Sequence, residues 1–366
     1  MKLTHHSPVR ILMDTDCIKK NASALAPFGF KALIVTGRHS AKANGALDEI
    51  LNALGENGQE YAMYDKVMAN PSIECVYEGA EIAWKEQADF IIAIGGGSPM
   101  DAAKAICLLS GQDLKRRTSC LPVLMAGKSF PWFVFPLPPG TGSEVTQYSI
   151  LTDNKLETKR NIATPLIFPS LAFLDAKYLI GLPNQTAVNT AIDALSHSVE
   201  GMLSIRADIL SDLLAEKGVR LIASCLSSLE KGILETKERE QLLLVSTIGG
   251  MVISSTGTTA VHALGYALTY HHHVDHGKAN GLLLVSFLTF VSKERMDIIE
   301  RILQALGLSS LKELQKKLEK LLGPMPELTE EQIKLYAKKA FATKNIDNCI
   351  VRPSEADLRD MLKTSK

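Results

Sequence analysis

Apolar residues recur in two rhythms along this chain. Up to about residue 180, short apolar runs alternate with segments of helical spacing. VRILMD (9–14), KALIVTG (31–37), Glu60–Tyr64 and DFIIAIGGG (89–97) read as strands, while SAKANGALDEILNALGENG (40–58) and 73–87 read as helices. Strands that are apolar on both faces suit a parallel sheet covered on both sides. The alternation predicts a doubly wound α/β sheet. The stretch 130–175, with FPWFVFPLPPGTGSEVTQYSILTD, is rich in Pro, Gly and β-branched residues and reads as strands and loops over a cofactor. Its Phe130, Trp132, Phe133 and Phe135 could line the core or a cleft. After LIGLPNQ (179–185) helical spacing dominates, as in 207–229, 237–254 and 311–322. A boundary is expected at Leu182-Pro183, giving an α/β dinucleotide-binding domain over 1–182 and an all-α metal-binding domain over 183–366. The charged stretch from Thr329 reads as a solvated helix plus a tail that packs back.

Length supports this division, because 366 residues exceed what one core usually organises. Hydrophobic content of 46% and charged content of 22% are ordinary for a soluble protein. With 40 basic and 40 acidic side chains the net charge is zero, which argues against nucleic-acid and anionic-membrane partners. Residues 242–274 carry no full charge and are long enough to span a membrane. Gly249, Gly250 and the SSTGTT run (254–259) interrupt them, so two buried helices are expected instead. The start, MKLTHHSPVR, lacks an apolar signal core. Six scattered cysteines form no CxxC pair and fit a reducing cytoplasm.

Three places carry candidate chemistry. In GGGSPMD (95–101), the glycines allow close backbone approach, Ser98 is a natural N-cap, Pro99 fits the first helical position and Asp101 completes a capping box. A helix start of this kind either cradles phosphate or is simply a well-capped turn. The second glycine loop, Gly140-Thr141-Gly142-Ser143, has the same two readings. At the end of the second strand, VTGRHSAK offers Gly37, Arg38, Ser40 and Lys42 and no acid for a ribose 2′-hydroxyl. Either the two cations favour a 2′-phosphate, hence NADP(H) over NAD(H), or they are solvated helix-start residues.

The third place is a set of metal-type side chains. Asp193 and His197 in TAIDALSHSVEG are spaced i, i+4 on one helix face. His262 and His276 flank VHALGYALTYHHHVDHGKANG, a separation that needs a turn between two helices. His271, His272 or His273 could replace His276 by a shift of register, although HGKANG has the look of a glycine-broken helix start. His5, His6 and His39 have no such context. A His/Asp set without cysteine suits Fe(II) or Zn(II).

NPS (70–72), GGGSPMDAAK, GTGSEVT, AIDALSHSVEG, VHALGY and HGKANG together resemble the iron-containing (group III) alcohol dehydrogenases, over nearly the whole chain. The resemblance implies a dehydroquinate synthase-like architecture and one divalent metal, Fe2+ or Zn2+, held by Asp193, His197, His262 and His276. It implies pyrophosphate at Gly96, Gly97 and Ser98, further cofactor contacts among Asn70, Asp101, Leu137, Pro138, Thr141, Lys159 and Leu182, and catalytic roles for Tyr266 and Lys159. It also implies hydride transfer between NAD(P)H and a small aldehyde or primary alcohol or diol, and a homodimer. VTGRHSAKANG looks most like the NADP-using branch. Two positions depart from the family pattern. Tyr266 stands where many members have a proton-relaying histidine, and Leu137-Pro138 replaces a Thr-Thr pair facing the cofactor. Two other activities are weighed against this one: a metal- and NAD-dependent lyase resembling dehydroquinate synthase, and a dinucleotide-binding protein without turnover. The lyase would need basic residues around the metal, and only Lys278 is offered. The second would bury four metal-type side chains without a ligand, which is costly.

Overall fold

The structure is a computed structural model that describes residues 3, 5–111, 130–136, 140–155 and 158–365, the side chains of Ser40 and Thr158 excepted. Leu137 and Pro138 therefore lie outside the described residues. The apolar runs of the first half become β1 (Arg10–Met13), β2 (Lys31–Thr36), β3 (Glu60–Tyr64), β4 (Phe90–Gly95) and β5 (Trp132–Pro136), followed by β6 (Tyr148–Asp153), β7 (Thr158–Ala163) and β8 (Leu171–Leu174). Six strands form one sheet in the order β1-β8-β5-β4-β2-β3. Every neighbouring pair in it is parallel. β6 and β7 form a separate antiparallel pair. Every residue of β4 is buried, as expected of a central strand covered on both faces.

Among the described residues, helices of ten residues or more in this unit are α1 (Ala46–Glu56), α2 (Ile73–Lys85) and α3 (Gly97–Ser110). The single helix expected over 40–58 is instead two, Ser40–Ala43 and α1. Gly45 lies between them at φ +80°, a left-handed conformation that ends one helix and starts the next. Trp132, Phe133 and Phe135 of the aromatic run are core, while Phe130 is half-buried: Phe133 meets the Phe28 and Phe90 rings edge-on, and Phe135 stacks on Phe173 at 4.7 Å.

The second half supplies α4 (Asn184–Met202), α5 (Ile209–Lys231), α6 (Thr236–Thr256), α7 (Ala260–His272), α8 (His276–Ser292), α9 (Met296–Leu306), α10 (Leu311–Leu322), α11 (Glu330–Phe341) and α12 (Glu355–Thr364). Ile192, Leu195 and Val199 of α4 share one core with Val219 and Ile222 of α5, Val245 and Val252 of α6 and Leu283 of α8. Because α5, α6 and α8 all pack on α4, its polar residues are buried with its apolar ones. The uncharged stretch 242–274 becomes α6 and α7, bent by 115°. Among the described residues no single helix is long and apolar enough to cross a membrane, although this bent pair passes by length and composition. Both helices contribute to the core, through Val245, Val252, Val261 and Leu264 among others.

The chain forms two compact units: Ser7–Pro138 with Ser143–Gly181, and Leu182–Lys366 with Met1–His6 and Pro139–Gly142. The glycine loop at 140–142 thus goes with the helices. Gly140 (φ +146°) and Gly142 (φ +62°) lie where a Cβ would collide with Thr190 and Gly250. Their amides donate to Ser246 Oγ at 2.6 and 3.3 Å. Both glycines are required by close packing on α4 and α6.

Candidate active site

In the helical unit, three helices bring one carboxylate and three imidazoles together. Asp193 and His197 lie one turn apart on α4, His262 is near the start of α7, and His276 opens α8. Asp193 Oδ1 lies 3.9 Å from His197 Nε2, 3.8 Å from His262 Nε2 and 3.9 Å from His276 Nε2. Asp193, His262 and His276 each offer a ligand atom, all within 4.8 Å of one another. His197 stands beside this trio rather than within it. Its ring stacks on that of His262 at 4.9 Å, and its Nδ1 is buried without a hydrogen-bond partner. Asp193, His197 and His262 are buried, whereas the His276 side chain is 34% exposed.

Packing fixes these positions. A side chain at Gly277 would collide with the Asn189 carbonyl and crowd Asp193, so the start of α8 comes close to α4. Asn189 Nδ2 donates to Asp275 Oδ2 at 2.6 Å, tying the residue before His276 to α4. The other histidines of the run go elsewhere. His271 stacks on Tyr336, His272 Nε2 meets the Tyr336 hydroxyl at 3.0 Å, and His273 takes φ +54° to end α7. Tyr266, one turn after His262, stacks on His276 with ring centroids 5.7 Å apart.

The protonation of the cluster follows from burial and charge. Burial opposes the Asp193 carboxylate, but the three facing imidazoles and the Asn280 amide hold it below the ordinary carboxylate range. Burial pushes His197 down to about 4, so its imidazole is neutral near pH 7. Burial likewise opposes Glu200, yet its bonds to His262 and Thr259 keep it ionised. Glu200 accepts from His262 Nδ1 and, at 2.7 Å each, from Thr259 N and Oγ1, and so turns His262 Nε2 toward the cluster. A buried carboxylate facing three imidazoles, with one imidazole backed by a second carboxylate and another carrying an unpartnered nitrogen, suits a divalent cation.

The α/β unit holds a second cluster. β4 lies beside β2, where the strand order reverses, and its end is the crevice position that binds ligands in such sheets. Gly95 has φ +146°, and a Cβ there would collide with the Pro99 ring. The expected cap is not what forms. Helix α3 starts at Gly97 with Gly96 as N-cap and no side-chain cap bond. Ser98 is already inside the first turn, because two glycines let the chain turn helical before it. Its Oγ accepts from Asn70 N at 3.2 Å. Asp101, rather than completing a capping box, is half-buried and accepts from Ser143 Oγ and Ile150 N at 3.1 Å each. Burial raises its carboxyl to about 6. The first-turn amides are left without a side-chain cap, as a phosphate site requires.

Lys159, on β7, donates to Asn70 Oδ1 at 2.7 Å and Thr152 Oγ1 at 3.0 Å, and burial lowers its amine to about 8. Asn70 itself sits at φ +58°. Asn70, Ser98 and Lys159 are thus linked beside the start of α3. The residues after β2 are less gathered: Arg38 is exposed, and Lys42 pairs with Asp65 at 3.0 Å. Thr141 and Leu182 belong to the helical unit.

Residues 8–176 match the family described as iron-containing alcohol dehydrogenase, and residues 187–365 match its C-terminal region. The chain belongs to the iron-containing alcohol dehydrogenase family. It is 30% identical to the NADPH-dependent butanol dehydrogenase of Clostridium saccharobutylicum, over 80% of this chain and 79% of that protein. It is 29% identical to the lactaldehyde reductase of Escherichia coli, over 91% of this chain and 90% of that protein. The iron-containing alcohol dehydrogenase of Thermotoga maritima superimposes with a TM-score of 0.91 at 32% identity, covering 100% of this chain and 99% of that one. As a member of this family the protein is an oxidoreductase of alcohols, aldehydes or diols, not a lyase.

Sequence reasoning missed three residues of these clusters. Glu200 follows His197 by three positions and Asp193 by seven, which puts it on the same helix face. Asn280 follows His276 by four, and its Nδ2 lies 2.9 Å from Asp193 Oδ1. Lys104 follows Asp101 by three and is fully buried, donating to Ser143 Oγ at 2.7 Å, Thr146 Oγ1 at 3.1 Å and the Tyr148 carbonyl at 2.8 Å. Burial lowers its amine to about 8. Helical spacing from a recognised residue was the available signal in each case.

Proposed function

We propose that this alcohol dehydrogenase reduces small aldehydes to primary alcohols or diols with NADP(H) in preference to NAD(H), using one divalent metal, Fe2+ or Zn2+. The observation that carries the reading is the convergence of Asp193, His262 and His276 within ligand reach of one another, with His197 beside them. The metal, when bound, supplies Lewis acidity toward a carbonyl oxygen, and the reduced nicotinamide supplies the hydride.

The roles of the chain's own residues follow from position. Asp193, His197, His262 and His276 hold the metal, and Glu200 fixes the tautomer of His262. Tyr266, stacked on His276, passes the proton that the product alcohol requires. Gly96, Gly97 and Ser98 offer the first-turn amides of α3 to the pyrophosphate. Asn70, Asp101 and Lys159 orient the cofactor, with Lys159 cationic below its pKa of about 8. Gly37, Arg38, Ser40 and Lys42 face the adenosine ribose. Arg38, exposed at the end of β2, is the cation we assign to a 2′-phosphate, because Lys42 is already paired with Asp65. Leu137, Pro138, Thr141 and Leu182 complete the cofactor contacts. The functional division falls at 182/183, the enzyme works as a homodimer, and it is cytoplasmic. The described cysteines are free, which supports a reducing compartment.

A steady-state assay tests this reading. NADPH and NADH oxidation would be followed with a panel of short aldehydes, before and after removal and return of Fe2+ or Zn2+. Metal-dependent turnover favouring NADPH is expected. Turnover unaffected by metal removal, or a preference for NADH, would contradict the corresponding part.

A further inference from the structure

The turn that leads into α7 is held from the far end of the chain. Thr259 is the N-cap of α7, yet its side chain makes no cap bond to that helix. Its hydroxyl and its amide both go to Glu200 Oε1, which also accepts from the His262 amide at 3.4 Å. Where Glu200 sits behind His262 therefore depends on where the 256–259 turn lies. Asn348, 90 residues beyond Thr258, is buried and donates from Nδ2 to the Thr256 carbonyl at 2.7 Å and the Thr258 carbonyl at 3.0 Å. Its Oδ1 lies 2.9 Å from Ser204 Oγ, which is itself 2.8 Å from the Thr256 carbonyl. Asn345 Nδ2 adds a bond to Thr258 Oγ1 at 2.7 Å.

Thr256 ends α6, and its carbonyl is one of those that a helix leaves without an intrahelical partner. Buried carbonyls of this kind need a donor, and the one Asn348 amide serves two of them across the turn. Gly257 lies between these two residues at φ +68°, and a Cβ there would crowd Asn348 Nδ2 at 3.1 Å. Backbone pairing fixes Asn348 in turn: Ile205 N donates to its carbonyl at 2.9 Å, and Ile350 N donates to the Leu203 carbonyl at 2.8 Å. Asn348 is thus seated just past the end of α4, the helix that carries Glu200, and grips the turn that carries Thr259. Resting on the metal reading above, we propose that Asn348 is a positioning residue for the reaction. By holding the 256–259 turn it keeps Thr259 on Glu200, and through Glu200 it keeps His262 in place. It acts through these two residues and not as a ligand.

The test uses the full-length protein, stripped of metal by a chelator and titrated with Co2+ under chelator competition, with the visible spectrum and thermal unfolding recorded. Asn348→Ala should weaken Co2+ affinity by about tenfold and alter the visible bands, because His262 is no longer fixed. Leu358→Ala, which opens a cavity elsewhere in the same core, should lower the unfolding temperature yet leave affinity per folded chain and spectrum as in wild type. In a Glu200→Ala background, Asn348→Ala should weaken affinity by less than about twofold further, since the route is already cut. Asn345→Ala should act in the same direction as Asn348→Ala, less strongly. An Asn348→Ala protein that is less stable but keeps wild-type Co2+ affinity and spectrum has lost a structural bond only, which overturns the proposal. So does an effect that multiplies in full with that of Glu200→Ala. Should Asn348→Ala or Glu200→Ala not fold, Asn345→Ala decides by affinity and spectrum alone: wild-type values for both overturn the proposal. A wild type that binds no Co2+ refutes the metal reading itself, a result distinct from these.

Discussion

The metal cluster of the helical unit and the α3 start of the α/β unit handle buried charge in opposite ways. Around Asp193 the charge belongs to side chains that α4, α7 and α8 hold in place, and Glu200 and Asn280 sit directly behind or among them. Around α3 the amides left without a side-chain cap belong to the backbone, and the side chains nearby mainly fix the loops that frame it. Lys104 ties α3 to the 143–148 segment, and Lys159 ties β7 to Asn70. Substitutions in the first cluster should therefore act on metal and chemistry. In the second they should act on folding and cofactor affinity.

The largest expected effect is in the first cluster. Asp193→Ala and His262→Ala should each abolish metal retention. They should also cost several kcal/mol of transition-state stabilisation, about a thousandfold or more in kcat/KM. Folding should be far less affected, as read by thermal unfolding of the stripped proteins. Lys104→Met should do the reverse. Removing a fully buried ammonium leaves Ser143 Oγ, Thr146 Oγ1 and the Tyr148 carbonyl without their shared donor, and about 3 kcal/mol of stability should be lost. Metal content per folded chain should not change, and a Lys104→Met protein that folds normally but loses its metal would erase the distinction.

Glu200→Gln tests the carboxylate behind His262. Metal affinity should fall by about 10–100-fold, measured by chelator competition, with little change in KM for the dinucleotide. A smaller effect concerns pH. Burial sets the Lys159 amine at about 8, below the ordinary lysine value, so its charge is present below that pH and lost as pH rises through it. Dinucleotide affinity should fall above pH 8 by up to about tenfold per unit, and Lys159→Arg should remove the decline. Smallest is Arg38→Ala, expected to reduce the preference for NADPH over NADH by several-fold, about 1 kcal/mol, without changing metal content.

The two clusters also differed in how far they could be read from the chain. Helical spacing exposed Asp193 with His197, and the glycine after His276 marked a helix start that α8 confirms. The same spacing pointed to Glu200 and Asn280, but a buried glutamate and asparagine resemble ordinary helix residues until their partners on other helices are known. In the α/β unit the strands of the sheet were legible because their apolar runs are continuous. The cap of α3 was misread, since Ser98-Pro99-x-Asp101 satisfies the local rule for a helix start. Bonds from Ser143 and Ile150 engage Asp101 instead, and the glycines moved the helix start upstream. The position of β4 at the reversal of strand order has no local signal at all. Gly140 and Gly142, which resemble a ligand loop in sequence, serve close packing on two helices 50 to 110 residues away in the chain.

Anomalous diffraction from crystals of the protein grown with Fe2+ or Zn2+, recorded at the absorption edge of the added metal, tests the central claim most directly. The account predicts one strong peak per chain within bonding distance of Asp193 Oδ1, His197 Nε2, His262 Nε2 and His276 Nε2. A peak elsewhere, or none at full metal occupancy in solution, would contradict it.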